Sequence, residues 1–134
     1  MKYPALLVLM IIIIACAAPP LMAADSSGQF IVGGGVGVLP CTRFLNAMAS
    51  ARQQGGLTSI AGLDTVYPWA SYILGFQTAY NFAVPGIRDI FGAFGPSPVN
   101  DVLYGIEPWC QKNPTAHFGD ALIIFAEKLR KAYE

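Results

Sequence analysis

Few residues in this chain of 134 are of types that do covalent or acid–base chemistry: three cysteines (Cys16, Cys41, Cys110), one histidine (His117) and eight carboxylates. A thiolate beside an imidazole makes a nucleophile, and an imidazole with further ligands at close spacing makes a metal site. His117 has neither a second ligand nor a nucleophile at the right spacing, and Asp120, three residues on, offers only a modest helix-surface pair. Ser50, Ser59, Ser71 and Ser97 lack a Gly-x-Ser-x-Gly elbow, and Asp64, Asp89, Asp101 and Asp120 are scattered. The glycines at 28, 33, 34, 35 and 37 could in principle cradle a phosphate. They lack the lysine of a P-loop and the third glycine of a dinucleotide fingerprint, and Pro40-Cys41 follows where a helix would have to open. The residues thus support no enzyme, no metal, no cofactor and no small-molecule substrate.

The cysteines do say something about compartment. Residues 5–18 form an apolar run behind Lys2 and stop at Pro19-Pro20. That run is shorter than the ~20 residues a membrane-spanning helix needs, and it fits the core of a secretory signal. The expected leader is 1–23, with cleavage after Ala23 or Ala24. A second processing route stays open, because Ile13-Ile14-Ala15-Cys16 resembles a lipobox in which Cys16 would carry lipid; only then would the chain meet a membrane. Without the leader, the 54% apolar content of the whole chain falls to an ordinary globular value, so the hydrophobicity does not mean a membrane protein. Cys41 and Cys110 remain as a pair. In an exported domain two cysteines are most simply a disulfide, here closing a loop worth about 4 kcal/mol, and the alternative is two separate buried thiols. The exported part carries seven Lys and Arg against eight Asp and Glu, with no basic stripe, which argues against a nucleic-acid partner.

The elements that must position these residues read as helices. A flexible glycine-rich arm is expected over 24–40, then a helix over 41–52 with Phe44, Leu45 and Met48 inward. A second helix is expected over 66–82, with Thr65 as cap and Pro68 in the first turn, where a missing N–H costs nothing. Trp69, Ile73, Phe76 and Tyr80 share one of its faces, but Ala70, Leu74 and Gly75 make the others apolar too, which suits a helix at the centre of a small core. Residues 83–98 are a Gly/Pro-rich loop carrying Ile87, Ile90, Phe91 and Phe94. Such a loop either folds over the core as a lid or forms an exposed patch that binds another protein. Ser97-Pro98 reads as the start of a third helix, with a kink expected at Pro108, and Asn113-Pro114 as the start of a last helix running to about Tyr133. The fold class is therefore all-α: four or five helices in one domain, 41–134.

Several of these residues carry a family resemblance. Cys41-Thr42-Arg43-Phe44-Leu45, Trp69-Ala70-Ser71-Tyr72-Ile73-Leu74-Gly75-Phe76, the stretch from Val102 to Cys110, and Asn113-Pro114 with Asp120-Ala121-Leu122 together resemble the HdeA/HdeB-like superfamily of small periplasmic helical proteins. Phe76 stands where tyrosine is common, the 83–98 segment is long, and Pro108 precedes the second cysteine. The resemblance implies a disulfide between Cys41 and Cys110, a homodimer near neutrality, and acid-stress chaperoning in the periplasm. Acid would take the exported chain from about −1 to about +8, and self-repulsion opposes compactness. Apolar stripes such as Trp69, Ile73, Phe76 and the segment from Ile87 through Ile90 and Phe91 to Phe94 would then hold protein clients. Tyr72-Ile73-Leu74-Gly75 also resembles a helix of Rap/Tai type VI immunity proteins, which implies instead a folded inhibitor of a secreted effector. A third option is an accessory component of an envelope complex.

Overall fold

The computed structural model describes residues 33–132; the leader 1–23, Cys16 and residues 24–32 of the glycine-rich arm lie outside the described residues. Four α-helices follow one another: α1 (Cys41–Gln53), α2 (Ile60–Ala83), α3 (Val99–Lys112) and α4 (Phe118–Arg130). Short 3-10 turns at Gly35–Val38, Gly56–Thr58 and Gly92–Phe94 punctuate the connections. The fold is all-α, as the helical periodicities require.

α1 buries Phe44, Ala47, Met48 and Ala51, spaced at three and four residues, on one side. Its first N–H groups have no partner within the helix. They are met by the segment leading into α4: Cys41 N donates to Ala116 O at 2.8 Å and Thr42 N to Pro114 O at 3.0 Å. In return Phe118 N donates to Leu39 O at 2.9 Å, so the entrances of α1 and α4 are tied together. The residues before α1 are accordingly part of the domain. Residues 35–38 wind into a 3-10 turn and Gly37 is buried, with the Tyr72 ring filling the space a Cβ would need. The expectation of a flexible arm through residue 40 therefore fails for residues 35–40, and Gly37 is there for close packing.

α2 begins six residues before its expected start. Ser59 is the cap, its Oγ accepting from Gly62 N at 2.9 Å, and Gly62 lies so close to the Gly56 carbonyl that no side chain would fit. Thr65 caps nothing; its hydroxyl donates back to Ala61 O at 3.0 Å. Pro68 consequently lies inside the helix and removes the bond that would have reached Asp64 O. α3 also runs through its proline, Pro108, and keeps Cys110 on its buried face beside Val102, Leu103 and Ile106. It opens at Val99, with Pro98 in the cap position and no side-chain cap bond from Ser97. Asn113 closes α3 instead of opening α4: its amide donates to Trp109 O at 2.9 Å, and α4 starts only after His117.

Cys41 and Cys110 form a disulfide, with Cα atoms 5.1 Å apart, that joins the start of α1 to the end of α3. Around it the core closes on Phe44, Met48, Ile73, Leu103, Ile106, Phe118 and Leu122. Phe44 meets the Phe118 ring at 4.9 Å. The 83–98 segment is a lid over this core: Ile90 and Phe91 are wholly buried, and Ile87 and Phe94 pack against the cluster. The lid is pinned to α2 through its backbone, Ile90 N donating to Asn81 Oδ1 at 2.8 Å, and through a side chain, Asp89 Oδ1 accepting from Gln77 Nε2 at 2.6 Å.

Candidate protein-contact face

The long helix α2 has two apolar faces with different fates. The inner one carries the expected partner-binding residues, and it is the core face: Ile73 is 0% exposed, while Trp69 and Phe76 are half-buried against the cluster. Phe76 stacks toward Phe91 at 6.4 Å, and Trp69 lies 6.4 Å from Phe44. With Ile90 and Phe91 also at 0%, three of the seven expected contact residues, Ile73, Ile90 and Phe91, are closed inside the core, while Trp69, Phe76, Ile87 and Phe94 pack against it and keep part of their surface exposed. The cause is simple: apolar residues on α2, the lid, α1 and α4 bury one another.

The outer face holds what the inner one was expected to offer. Ile60 is 82%, Tyr67 68% and Phe82 93% exposed, with Leu63 and Leu74 also open to solvent. The stripe runs the length of a helix whose 24 residues include a single charge, Asp64. At about 1.5 Å per residue it is roughly 33 Å long from Ile60 to Phe82. Single exposed apolar residues are ordinary, whereas five on one side of one helix make that side a candidate contact surface, even with Asp64, Ser71 and Thr78 between them. Sequence periodicity could not choose between the faces, because both are apolar. The signal lay in the few polar residues: Asp64, Ser71 and Thr78, spaced by seven, mark the outward side.

Two polar links hold the helices in place. Glu107 on α3 is 7% exposed and is met by the Arg52 guanidinium of α1, whose own pKa the hydrogen bond to Glu107 raises. On the other side Tyr80 Oη of α2 donates to Glu127 Oε1 of α4 at 2.7 Å, and Arg130 Nε donates to Glu127 Oε2 at 2.9 Å. The Tyr80 hydrogen bond holds the Glu127 carboxyl below its ordinary range, aided by Arg130 against the opposing effect of burial. Burial, with the ionised Glu127 beside it, pushes the Tyr80 phenol up to about 12. His117 approaches Asp120 at 3.7 Å, both well exposed, as a surface pair.

Little else on the molecule has the makings of a site. A cavity of about 220 Å³ lies between α3 and α4, lined by Trp109, Phe125, Lys112 and Lys128 among others, and a wider, more open hollow of about 520 Å³ lies on the lid beside Ile87, Arg88 and Asp89. Among the described residues no three His, Cys, Asp or Glu side chains gather as metal ligands, and no helix is long and apolar enough to cross a membrane. The chain matches no family model, no curated protein and no solved structure.

Proposed function

We propose that this chain is an exported protein-binding protein, acting most specifically as a periplasmic acid-stress chaperone that holds apolar segments of unfolded clients. The observation that carries the protein-binding reading is the outer face of α2, a row of large apolar side chains with nothing packed on it among the described residues. Acid sensitivity is supported by the link between α2 and α4. Protonating Glu127 removes the acceptor that Tyr80 and Arg130 share and weakens that link. The disulfide keeps α1 and α3 joined while this happens. Loosening of the lid and α4 would then add Ile73, Ile90 and Phe91 to the surface on offer.

Light scattering of unrelated client proteins at pH 2–3 and at pH 7 tests this reading. Suppression of aggregation in acid and not at neutrality is the expected result, and its absence in acid overturns the chaperone role. A second reading, a Rap/Tai-like immunity protein that stays folded and neutralises a secreted effector, is favoured by the α2 stripe being open without any loosening. It requires a single partner bound at nanomolar affinity at pH 7, and loss of that complex in a Phe82→Glu variant.

A further inference from the structure

α3 and α4 do not close on each other along their whole length. At one end Gly105 lets the Phe125 ring rest on the α3 backbone, where a Cβ would stand 2.5 Å from Phe125 Cζ. One turn before Phe125 on α4 stands the small Ala121, and there a cavity of about 220 Å³ opens beside Trp109, Pro108 and Ile124. Its lining is apolar except for Lys112 and Lys128, both exposed to solvent. We propose that this cavity binds a small amphiphilic anion, an alkyl carboxylate whose chain lies against Trp109, Ile124 and Phe125 and whose head is held by the two ammonium groups. The ligand is bound and not converted, for no cysteine, histidine, serine or carboxylate lines the cavity.

Three observations favour such a ligand. The first is charge. Neither lysine forms an ion pair among the described residues, and the carboxylates nearby are engaged elsewhere: Glu107 with Arg52, Glu127 with Tyr80 and Arg130, and Asp120 toward His117. Asp101, one turn before Gly105, pairs with neither lysine. Two uncompensated cations over an apolar floor fit an anion with a tail. The second is size. At about 30 Å³ for each water-sized group the cavity holds roughly seven, and from Gly105 to Lys112 it runs about 10 Å along α3. That suits a chain of eight or so carbons and is too narrow for a helix, whose diameter with side chains is about 10–12 Å. The third is contrast with the lid hollow. There Arg88 is accompanied by Asp89, whose carboxylate opposes an anion, so the larger space is the poorer site.

Calorimetric titration of the protein at pH 7 with octanoate, kept below its micelle-forming concentration, tests the site. Saturable binding of one octanoate per chain is expected, with none for acetate and about tenfold weaker binding for octanol, which has the tail without the charge. From hexanoate to octanoate affinity should rise about two- to fourfold per methylene. Lys112→Glu with Lys128→Glu, its helical circular-dichroism spectrum unchanged, should weaken octanoate by about tenfold. Arg43→Glu with Arg88→Glu makes the same change in net charge away from the cavity and should leave the affinity within about twofold. Backbone amide shifts in ¹⁵N spectra should centre on Gly105, Trp109 and Ala121. Absence of saturable binding overturns the proposal, and so does octanol binding as tightly as octanoate. Equal loss in the lysine and arginine pairs, or shifts confined to Tyr67 and Phe82 on α2, would place the anion elsewhere and also overturns it. None of these outcomes bears on client binding by α2, which is read from light scattering.

Discussion

The inner and outer faces of α2 are built from similar residues and end in opposite environments. Inside, Val66, Ile73 and the half-buried Trp69, Tyr72, Phe76 and Tyr80 pack on α1, the lid and α4. Outside, Ile60, Leu63, Tyr67, Leu74 and Phe82 meet solvent. The difference lies in what each face meets. The inner residues are large and interleaved with aromatic partners from other elements, such as Phe44, Phe91 and Phe118. The outer residues are separated by Ser71, Gly75, Thr78 and Ala79, and among the described residues no element crosses them. Hydrophobicity alone does not place a residue in a core; a facing element does.

The sharpest way to break this comparison is to truncate one residue on each face. Ile73→Ala leaves a hole in a closed core and should destabilise by about 3 kcal/mol in urea unfolding. A loss under 1 kcal/mol would mean the inner face is loosely packed. The scaffold that presents the inner face is probed by Arg52→Ala. It strands the Glu107 carboxylate, which is nearly buried, and should cost about 1–2 kcal/mol, moderated because Arg52 itself is half exposed. Arg52→Ala with Glu107→Leu should recover much of that loss, and failure to recover would place the damage in lost packing and not in the stranded charge.

A smaller effect is expected from acid acting on the link between α2 and α4. Glu127 has a folded pKa below its ordinary value, so its stabilisation is present above the ordinary carboxylate range and fades as pH falls through the folded value. Stability should therefore decline below about pH 4.5. Tyr80→Phe should flatten that decline, as seen in urea midpoints between pH 6 and 3. The Tyr80 phenol works in the opposite direction: its contribution is present below about pH 10 and is lost as pH climbs towards about 12. The smallest change should come from Phe82→Ser on the outer face, within about 0.5 kcal/mol of the parent by the same urea measurement. It should nonetheless weaken whatever binding the outer face performs. A stability loss comparable to that of Ile73→Ala would show that the two faces are not distinct.

Much of the fold could be read from local signals. The helical class follows from apolar spacing, and Phe44 and Met48 place α1 to within one residue. For Cys41 and Cys110 the sequence leaves two alternatives, a disulfide or two separate buried thiols, and the bond between them decides for the first. The boundaries of α2 and α4 were harder, because their apparent caps are decoys. Thr65-x-x-Pro68 and Asn113-Pro114 have the look of helix starts, yet Ser59 holds the start of α2 and Asn113 ends α3. Gly62 reads as a loop residue until the nearby Gly56 carbonyl explains it. Which side of α2 the core takes is not legible, because the helix is apolar all round and only tertiary packing decides it. The lid was legible as one of two alternatives for residues 83–98.

The disulfide makes a covalent ring of everything from Cys41 to Cys110, which takes in α1, α2, the lid and most of α3 and leaves α4 hanging from it as a tail. A protease that cuts once within the lid, at Gly86 or Gly95 for example, therefore releases nothing: the nicked molecule keeps all its parts until a reductant opens the ring. A single cut between Asn113 and His117 leaves α4 with no covalent tie to the ring, held only by its packing and by the Tyr80–Glu127 bond. Limited digestion run with and without reductant would thus separate a ring that stays shut from a tail that can leave, and would show which of the two acid loosens first.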